Sequence, residues 1–465
     1  MLDEPIVNIL KIREDSVPLE LEQADRGDTF SISEDQTSSS WFPIDKKSDI
    51  KPSDLRVGIE PWLTSLFQSE HFSLLMGTGF SIAIQYLATK NSKSSMTKPE
   101  LDTRYKDSIE KKASSIAKKN SRGDANIEDY IRVINDLLRG LEVLGHDKLE
   151  DAKKKLEYDK LMSNLERIIK EFAKSISDIE NGIATADESQ REEAFDYLVN
   201  FLMSFASRIG TRDRLSIFTT NYDRLIEAGA DLAGLHLLDR FVGSLSPIFR
   251  SSRLDIDMHY NPPGIRGEPR YLEGVARFTK LHGSIDWVDT GNDIRRIGLP
   301  FGSNDIGSFL NAPGIADADV RKLMIYPNAA KDRETTEYPY VELFRDFAAA
   351  LCRPNSTLVT YGYGFGDDHI NRVIRDMLTI PSTHLVIISY DDAGGRIMEK
   401  YKDFGRSSQI SLIVGNGLAD IKMLVDYFLP KPSIDRASIR MNELLKQRYS
   451  TPKAELLKTD DGGEC

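Results

Sequence analysis

Apolar residues along this chain follow a strand-like period in some stretches and a three-to-four-residue helical period in others, and the switches between the two lay out the fold. IVNILKI at 6–12 predicts a strand. The Ser-, Asp- and Gly-rich run DRGDTFSISEDQTSSSWF at 25–42 reads as a mobile arm, or one ordered by a partner subunit. Residues 56–70 predict a short helix with Trp62, Leu63 and Leu66 inward. FSLLM at 72–76 is an apolar strand that runs into Gly77-Thr78-Gly79-Phe80-Ser81 and then an apolar helix. Residues 90–125 are polar and lysine-rich, which predicts a loop and a solvent-facing helix. Residues 126–210 carry helical stripes, among them Ile127/Tyr130/Ile131/Ile134, Tyr158/Leu161/Leu165/Ile168/Ile169 and Phe195/Leu198/Phe201/Leu202.

From residue 215 the period changes. LSIFTTNYD, RFTKLHGSIDW, KLMIYP, STLVTYGYGF, THLVIISYDD and QISLIVG are short apolar strands, several of them ending in polar residues. Helical stretches such as LIEAGADL, INRVIRDML and AGGRIMEKYKDF lie between them. Apolar strands alternating with helices predict an α/β fold with a parallel sheet whose polar strand tips share one side, where such folds bind ligands. The organisation expected is an N-terminal arm over 1–55, an α/β domain over 56–430 interrupted by a helical insertion at 90–210, and a C-terminal helix (IRMNELLKQRY) and tail over 431–465.

Composition narrows the class. The chain has 465 residues, 40% apolar and 29% charged, a soluble globular balance with no apolar stretch long enough to cross a membrane. The first residues lack the apolar core of a signal peptide. Two cysteines, Cys352 and Cys465, cannot build a disulfide framework or a cysteine-rich zinc site, and such usage suits a reducing cytosol. The formal charge of −12, from 61 basic and 73 acidic side chains, repels a phosphate backbone on average and argues against direct nucleic-acid binding. The lysine clusters Lys111/Lys112/Lys118/Lys119 and Lys153/Lys154/Lys155 read as solvated helix faces.

The candidate chemistry lies at the strand tips. Gly77-Thr78-Gly79-Phe80-Ser81 allows a tight turn and close approach to phosphate at a helix amino end, but lacks both the full dinucleotide fingerprint and a Walker loop. Thr219-Thr220-Asn221-Tyr222-Asp223 offers adjacent Asn and Asp to orient a hydroxyl or a water; the same residues serve equally as an Asx turn and helix cap. In Lys280-Leu281-His282-Gly283, His282 is the best general-base candidate among seven histidines. Gly362-Tyr363-Gly364-Phe365-Gly366-Asp367-Asp368 suggests a second loop close to a ligand, and Asp391 ends the next strand, where an acid often holds a ribose hydroxyl pair. Asn416, between Gly415 and Gly417, ends the last strand beside a possible adenine contact.

Together, and in this order, these motifs resemble the SIR2 (sirtuin-type) family over about 70–420. The resemblance implies a Rossmann-like sheet and NAD+ as substrate. Gly77, Thr78, Gly79, Phe80 and Ser81 would hold the phosphates and nicotinamide side, and Thr220 and Asn221 would lie beside the nicotinamide ribose. His282 would be the catalytic residue, with Asp223 in an orienting role, and Gly362, Tyr363, Gly364, Phe365, Asp391 and Asn416 would face the adenosine half. The four-cysteine zinc ribbon of sirtuin deacylases is absent, as is the proline-aspartate-phenylalanine-arginine stretch, replaced here by Ile82-Ala83-Ile84-Gln85-Tyr86, so no metal is expected. The chain is similar instead to bacterial SIR2-like antiphage effectors that hydrolyse NAD+. That implies a cytoplasmic homo-oligomer activated by a separate protein such as a HerA-like ATPase. ADP-ribosyl transfer and a non-catalytic NAD-binding scaffold are the alternatives.

Overall fold

The computed structural model describes residues 6–12, 15, 17–23, 29–32, 41–42, 48–92, 97–119, 123–144, 152–208, 212–252, 257–260, 270–311, 315 and 338–431. The strand expected at KLMIYP, the helix expected at IRMNELLKQRY, the tail and Cys465 lie outside these residues.

One ten-stranded sheet organises the chain. Its strands are β1 (Ile6–Lys11), β2 (Leu19–Gln23), β3 (Phe30–Ile32), β4 (His71–Met76), β5 (Ser216–Thr219), β6 (His236–Leu238), β7 (Val275–Lys280), β8 (Ser356–Tyr361), β9 (His384–Ser389) and β10 (Ile410–Val414). They lie side by side as β3-β2-β1-β10-β9-β8-β4-β5-β7-β6. From β10 to β6 every pairing is parallel. The sequence predicts this arrangement, because strands covered on both faces read as continuous apolar runs; β4 is buried from Phe72 to Met76 and β10 throughout. The fold is the expected α/β type with a Rossmann-like parallel sheet.

The ten main helices are α1 (Pro52–Phe67), α2 (Thr78–Thr89), α3 (Lys106–Lys119), α4 (Ile127–Val143), α5 (Ala152–Ala184), α6 (Glu188–Ala206), α7 (Leu225–Ala233), α8 (Tyr340–Leu351), α9 (Asp368–Leu378) and α10 (Arg396–Phe404). Apolar residues of α1, α2, α6 and α7 share one core with the sheet, and those of α8, α9 and α10 share a second. A third cluster is formed by α3, α4 and α5 around Ile131, Ile134, Leu161, Ile168 and Phe172. It also takes in Tyr222 and Ile285, which follow β5 and β7, so these helices rest on the loops at the polar strand tips.

Two sequence expectations differ from what is observed. The sequence places the helical stripe of α6 in the insertion, but Phe201 and Phe205 belong to the main core: Phe205 stacks on Phe67 at 4.8 Å, and Phe201 lies 5.6 Å from Phe80 and 5.0 Å from Tyr361. Periodicity shows that a face is buried, not against what. The described part of the N-terminal arm is not loose either. β1 pairs antiparallel with β10, β2 with β1 and β3 with β2, and the buried Lys11 donates to the carbonyls of Ser407 (2.7 Å) and Ile410 (2.8 Å).

Beneath this seam lies a half-buried histidine. His384 Nε2 is 2.9 Å from Ser411 Oγ, which also accepts from Trp62 Nε1 at 3.0 Å. Burial, helped by Lys11, pushes the His384 imidazole down to about 4. The folded state therefore holds it neutral while the unfolded chain titrates near its ordinary value. Its stabilising effect is full above about pH 6.5 and is lost as pH falls toward 4, amounting to about 3 kcal/mol. His384→Gln should flatten the pH dependence of urea unfolding between pH 6.5 and 4 relative to the parent; superimposable slopes would contradict a neutral native His384.

Candidate active site

Chain order around the sheet reverses between β4 and β8. From β4 the chain proceeds outward through β5, β7 and β6, and β8, β9 and β10 build the other way. At such a switch point the loops leaving the two central strands diverge and open a crevice. Both glycine motifs sit there. Gly77 N–H donates to Tyr361 O and Gly79 N–H to Gly362 O, both at 3.0 Å, so the two loops are hydrogen-bonded backbone to backbone. A Cβ on Gly77 would stand 2.5 Å from Gly362 O, and one on Gly79 2.7 Å from Gly362 Cα. These glycines are thus required first for loop-on-loop contact. The Gly79 and Phe80 amides, at the start of α2, are already bonded to Gly362 O and Gly77 O, so the helix end has fewer free donors than its sequence suggests.

Above this crossing lies a cavity of about 680 Å³, within the range of small-molecule sites. Of the predicted site residues, Thr78, Gly79, Thr220, His282, Gly362, Tyr363, Gly364 and Asp391 line it. His282, at the tip of β7, is mostly buried, and its Nε2 lies 2.9 Å from Asp367 Oδ2. Asp367 is itself fixed as the N-cap of α9, its Oδ1 accepting from His369 N–H at 3.1 Å. An ionised carboxylate only accepts, so this pairing places the hydrogen on Nε2 and leaves Nδ1 as the basic nitrogen.

Asn221, Ser81 and Asp223 form a relay beside the cavity but are not in its lining. Asn221 Nδ2 donates to Gly77 O (2.9 Å) and Ser81 Oγ (2.8 Å), and Ser81 Oγ donates to Asp223 Oδ2 (2.6 Å). Asp223 Oδ1 accepts from Leu225 N–H at 3.2 Å, starting α7. Asn221 Oδ1 is buried with no hydrogen-bond partner, an acceptor left over for a donor the protein does not supply. Below, the buried Lys280 Nζ donates to Asp223 O and, at 3.0 Å, to Glu227 Oε1; burial pushes the Glu227 carboxyl up to about 7 against the pull of Lys280.

Gly77, Phe80, Phe365 and Asn416 are likewise not in the lining. Phe80 and Phe365 are core side chains, packed 5.6 Å from Phe201 and 6.2 Å from Phe404 respectively. Asn416 lies beside the lining, next to a glycine packed under the N-terminal strands. Asn8 Oδ1 accepts from Gly417 N–H at 2.8 Å, and a Cβ on Gly417 would come 2.8 Å from Phe30, so β1 and its neighbours cover the Gly417 side of this loop, while the half-buried Asn416 side chain bonds Tyr390 of the lining.

Other lining residues were not singled out from sequence. Asp367 was visible only as one letter of a loop motif. Arg396, whose Nε donates to Gly364 O at 2.9 Å, brings a cation to the lining. Asn126 and Glu128 come from the start of α4, where a capping box (Asp129 N–H to Asn126 Oδ1 at 3.2 Å, Asn126 N–H to Asp129 Oδ2 at 3.1 Å) signals a helix end and nothing more. Glu128 Oε1 accepts from Tyr222 OH at 3.0 Å. Burial, with Glu128 adding to it, pushes the Tyr222 phenol well up, so it stays a donor.

Residues 215–413 match the family model of a SIR2-like domain. The matched span runs from β5 into β10 and contains the TTNYD, KLHG and YGYGFGDD motifs; the GTGFS turn precedes it and reaches it through the β4–β8 pairing. No curated protein matches the chain. SIR2-like domains use NAD+, which implies NAD-related activity here. The residues fit that ligand: the cavity is lined by a histidine–carboxylate pair, an arginine and a further aspartate, with a buried orphan acceptor alongside. Among the described residues there is no group of three or more His, Cys, Asp or Glu able to hold a metal, and no helix long and apolar enough to cross a membrane.

Proposed function

We propose that this chain is an NAD+ glycohydrolase that cleaves the bond between nicotinamide and ribose, and that it acts as a regulated effector of antiphage defence. The observation that carries the reaction is the His282–Asp367 pair inside the switch-point cavity, on the β7 tip next to Thr220 and Asn221.

When the C1′–N bond breaks, its electron pair stays with the ring nitrogen and nicotinamide leaves neutral. The ribose is left with oxocarbenium character, a water oxygen bonds to C1′, and one proton is released. His282, held by Asp367 with Nδ1 unprotonated, takes that proton from the water or from a ribose hydroxyl. Asn221 holds the GTGFS turn against β5 and offers Oδ1 to a donor at the cavity floor. Asp223 acts on Ser81 and orients the relay without touching substrate.

An unrestrained NAD+ hydrolase would kill its host, so control belongs to the proposal. The resemblance to stand-alone defence effectors supports a cytoplasmic homo-oligomer with a separate HerA-like ATPase as activator. The test is turnover of labelled NAD+ by the full chain, alone and with that ATPase. Free nicotinamide and ADP-ribose are expected. Label retained on a macromolecule would show ADP-ribosyl transfer, and intact NAD+ under both conditions would make the chain a binding scaffold.

A further inference from the structure

We propose that Glu128, carried by the helical segment between β4 and β5 and not by the SIR2-like match, binds a hydroxyl of the ribose that carries nicotinamide. The inference rests on the NAD+ reading and adds a residue to it.

Four observations converge. Glu128 lines the same cavity as His282 and Thr220. Its Oε1 is fixed by Tyr222 OH at 3.0 Å, and among the described residues its second oxygen has no protein partner. Tyr222 is placed from both sides: Phe172 of α5 meets its ring edge-on at 5.5 Å, and the His282 ring lies 6.3 Å from it. Through Tyr222, Glu128 is therefore placed on the His282 side of the cavity. The adjoining Asn221 Oδ1 is a second acceptor, buried and without a donor from the protein. A ribose supplies two hydroxyls, and it is the part of NAD+ that must lie beside His282 under the proposed reaction.

Glu128 is in the first turn of α4, where the helix amino end stabilises negative charge. As oxocarbenium character develops at C1′, the neighbouring hydroxyls become more acidic and their bonds to a carboxylate strengthen. The contribution should then appear in kcat as well as in KM. Glu128 would be a catalytic residue, and Tyr222 a positioning residue that acts through it.

The experiment compares the full-length parent, Glu128→Gln and Tyr222→Phe on NAD+ and on two analogues lacking either the 2′- or the 3′-hydroxyl of the nicotinamide ribose, with NAD+ binding followed by calorimetry. Glu128→Gln should lose about 10- to 100-fold in kcat/KM on NAD+, the size of one charge-assisted hydrogen bond. On one of the analogues the parent and variant should turn over alike. Tyr222→Phe keeps the ring packing, should lose less, and should show the same convergence; if Glu128→Gln does not fold, this variant carries the test. Parental kcat/KM in both variants, or an equal loss on NAD+ and both analogues, overturns the assignment alone. A parent that neither binds nor cleaves NAD+ with its activator overturns the NAD+ reading as well.

Discussion

His282→Ala should leave a folded chain that still binds NAD+ and cleaves it about 100- to 10,000-fold more slowly, the usual cost of removing a positioned base. The ring sits at a strand tip and not in a packed core; the hydrogen bond it loses is to Asp367, which keeps its cap to His369 N–H at 3.1 Å. Binding should survive because the glycine crossing, Arg396 and Asp391 are untouched. Asp367→Asn separates orientation from basicity. An amide can donate to Nε2, which favours the opposite tautomer and removes the lone pair from Nδ1, so kcat should fall toward the alanine value with a smaller change in KM. Product release measured under activating conditions decides it: parental kcat in His282→Ala would falsify a catalytic histidine.

The largest effect on stability is expected at Gly362. Its φ is +61°, in the left-handed region, and a Cβ there would lie 2.6 Å from Phe80 N and 2.7 Å from both Gly79 Cα and Gly79 C. All three are backbone atoms of the facing loop, so no side chain can swing away. Gly362→Ala therefore adds about 1–2 kcal/mol for an L-residue in the left-handed conformation to about 1–3 kcal/mol for overpacking, about 2–5 kcal/mol in all. Gly394→Ala is the control. Its φ is +70° and nothing lies within 4 Å of the added methyl, so only the conformational part remains. Urea unfolding of the two variants separates strain from space; equal destabilisation would mean that the loops do not meet as closely as described.

Much of the sheet was legible because parallel interior strands are long apolar runs ended by turn residues, and FSLLM, LSIFT and THLVIIS are of that kind. His282, Thr220 and Asp391 stood out because strand tips are where an α/β fold places polar chemistry. Partners distant in sequence did not stand out. Asp367 is 85 residues from His282, and Glu128 is 94 from Tyr222; each reads locally as an ordinary helix-end acid. Phe80 and Phe365 turn their side chains into the core for the reverse reason: a motif marks a backbone path, and the side chains on it turn toward the core or the cavity according to packing that sequence alone does not show. IVNILKI read as a strand, but β2 and β3 were hidden by their short, polar, edge-like composition, which resembles an arm until a partner strand is supplied.

That partner strand has consequences for assembly in time. The Lys11–Ile410 contact spans 399 residues, and β1 reaches its place in the sheet only through β10. At about 5–20 residues per second, β1 to β3 wait about 20–80 s on the ribosome before Ile410–Val414 is made. Until then the parallel strands already synthesised end at β9 with an open edge, the kind of surface on which nascent chains aggregate. Closing that edge is among the last long-range events of biogenesis, so the chain's own beginning serves as the late cover for a sheet built almost entirely after it.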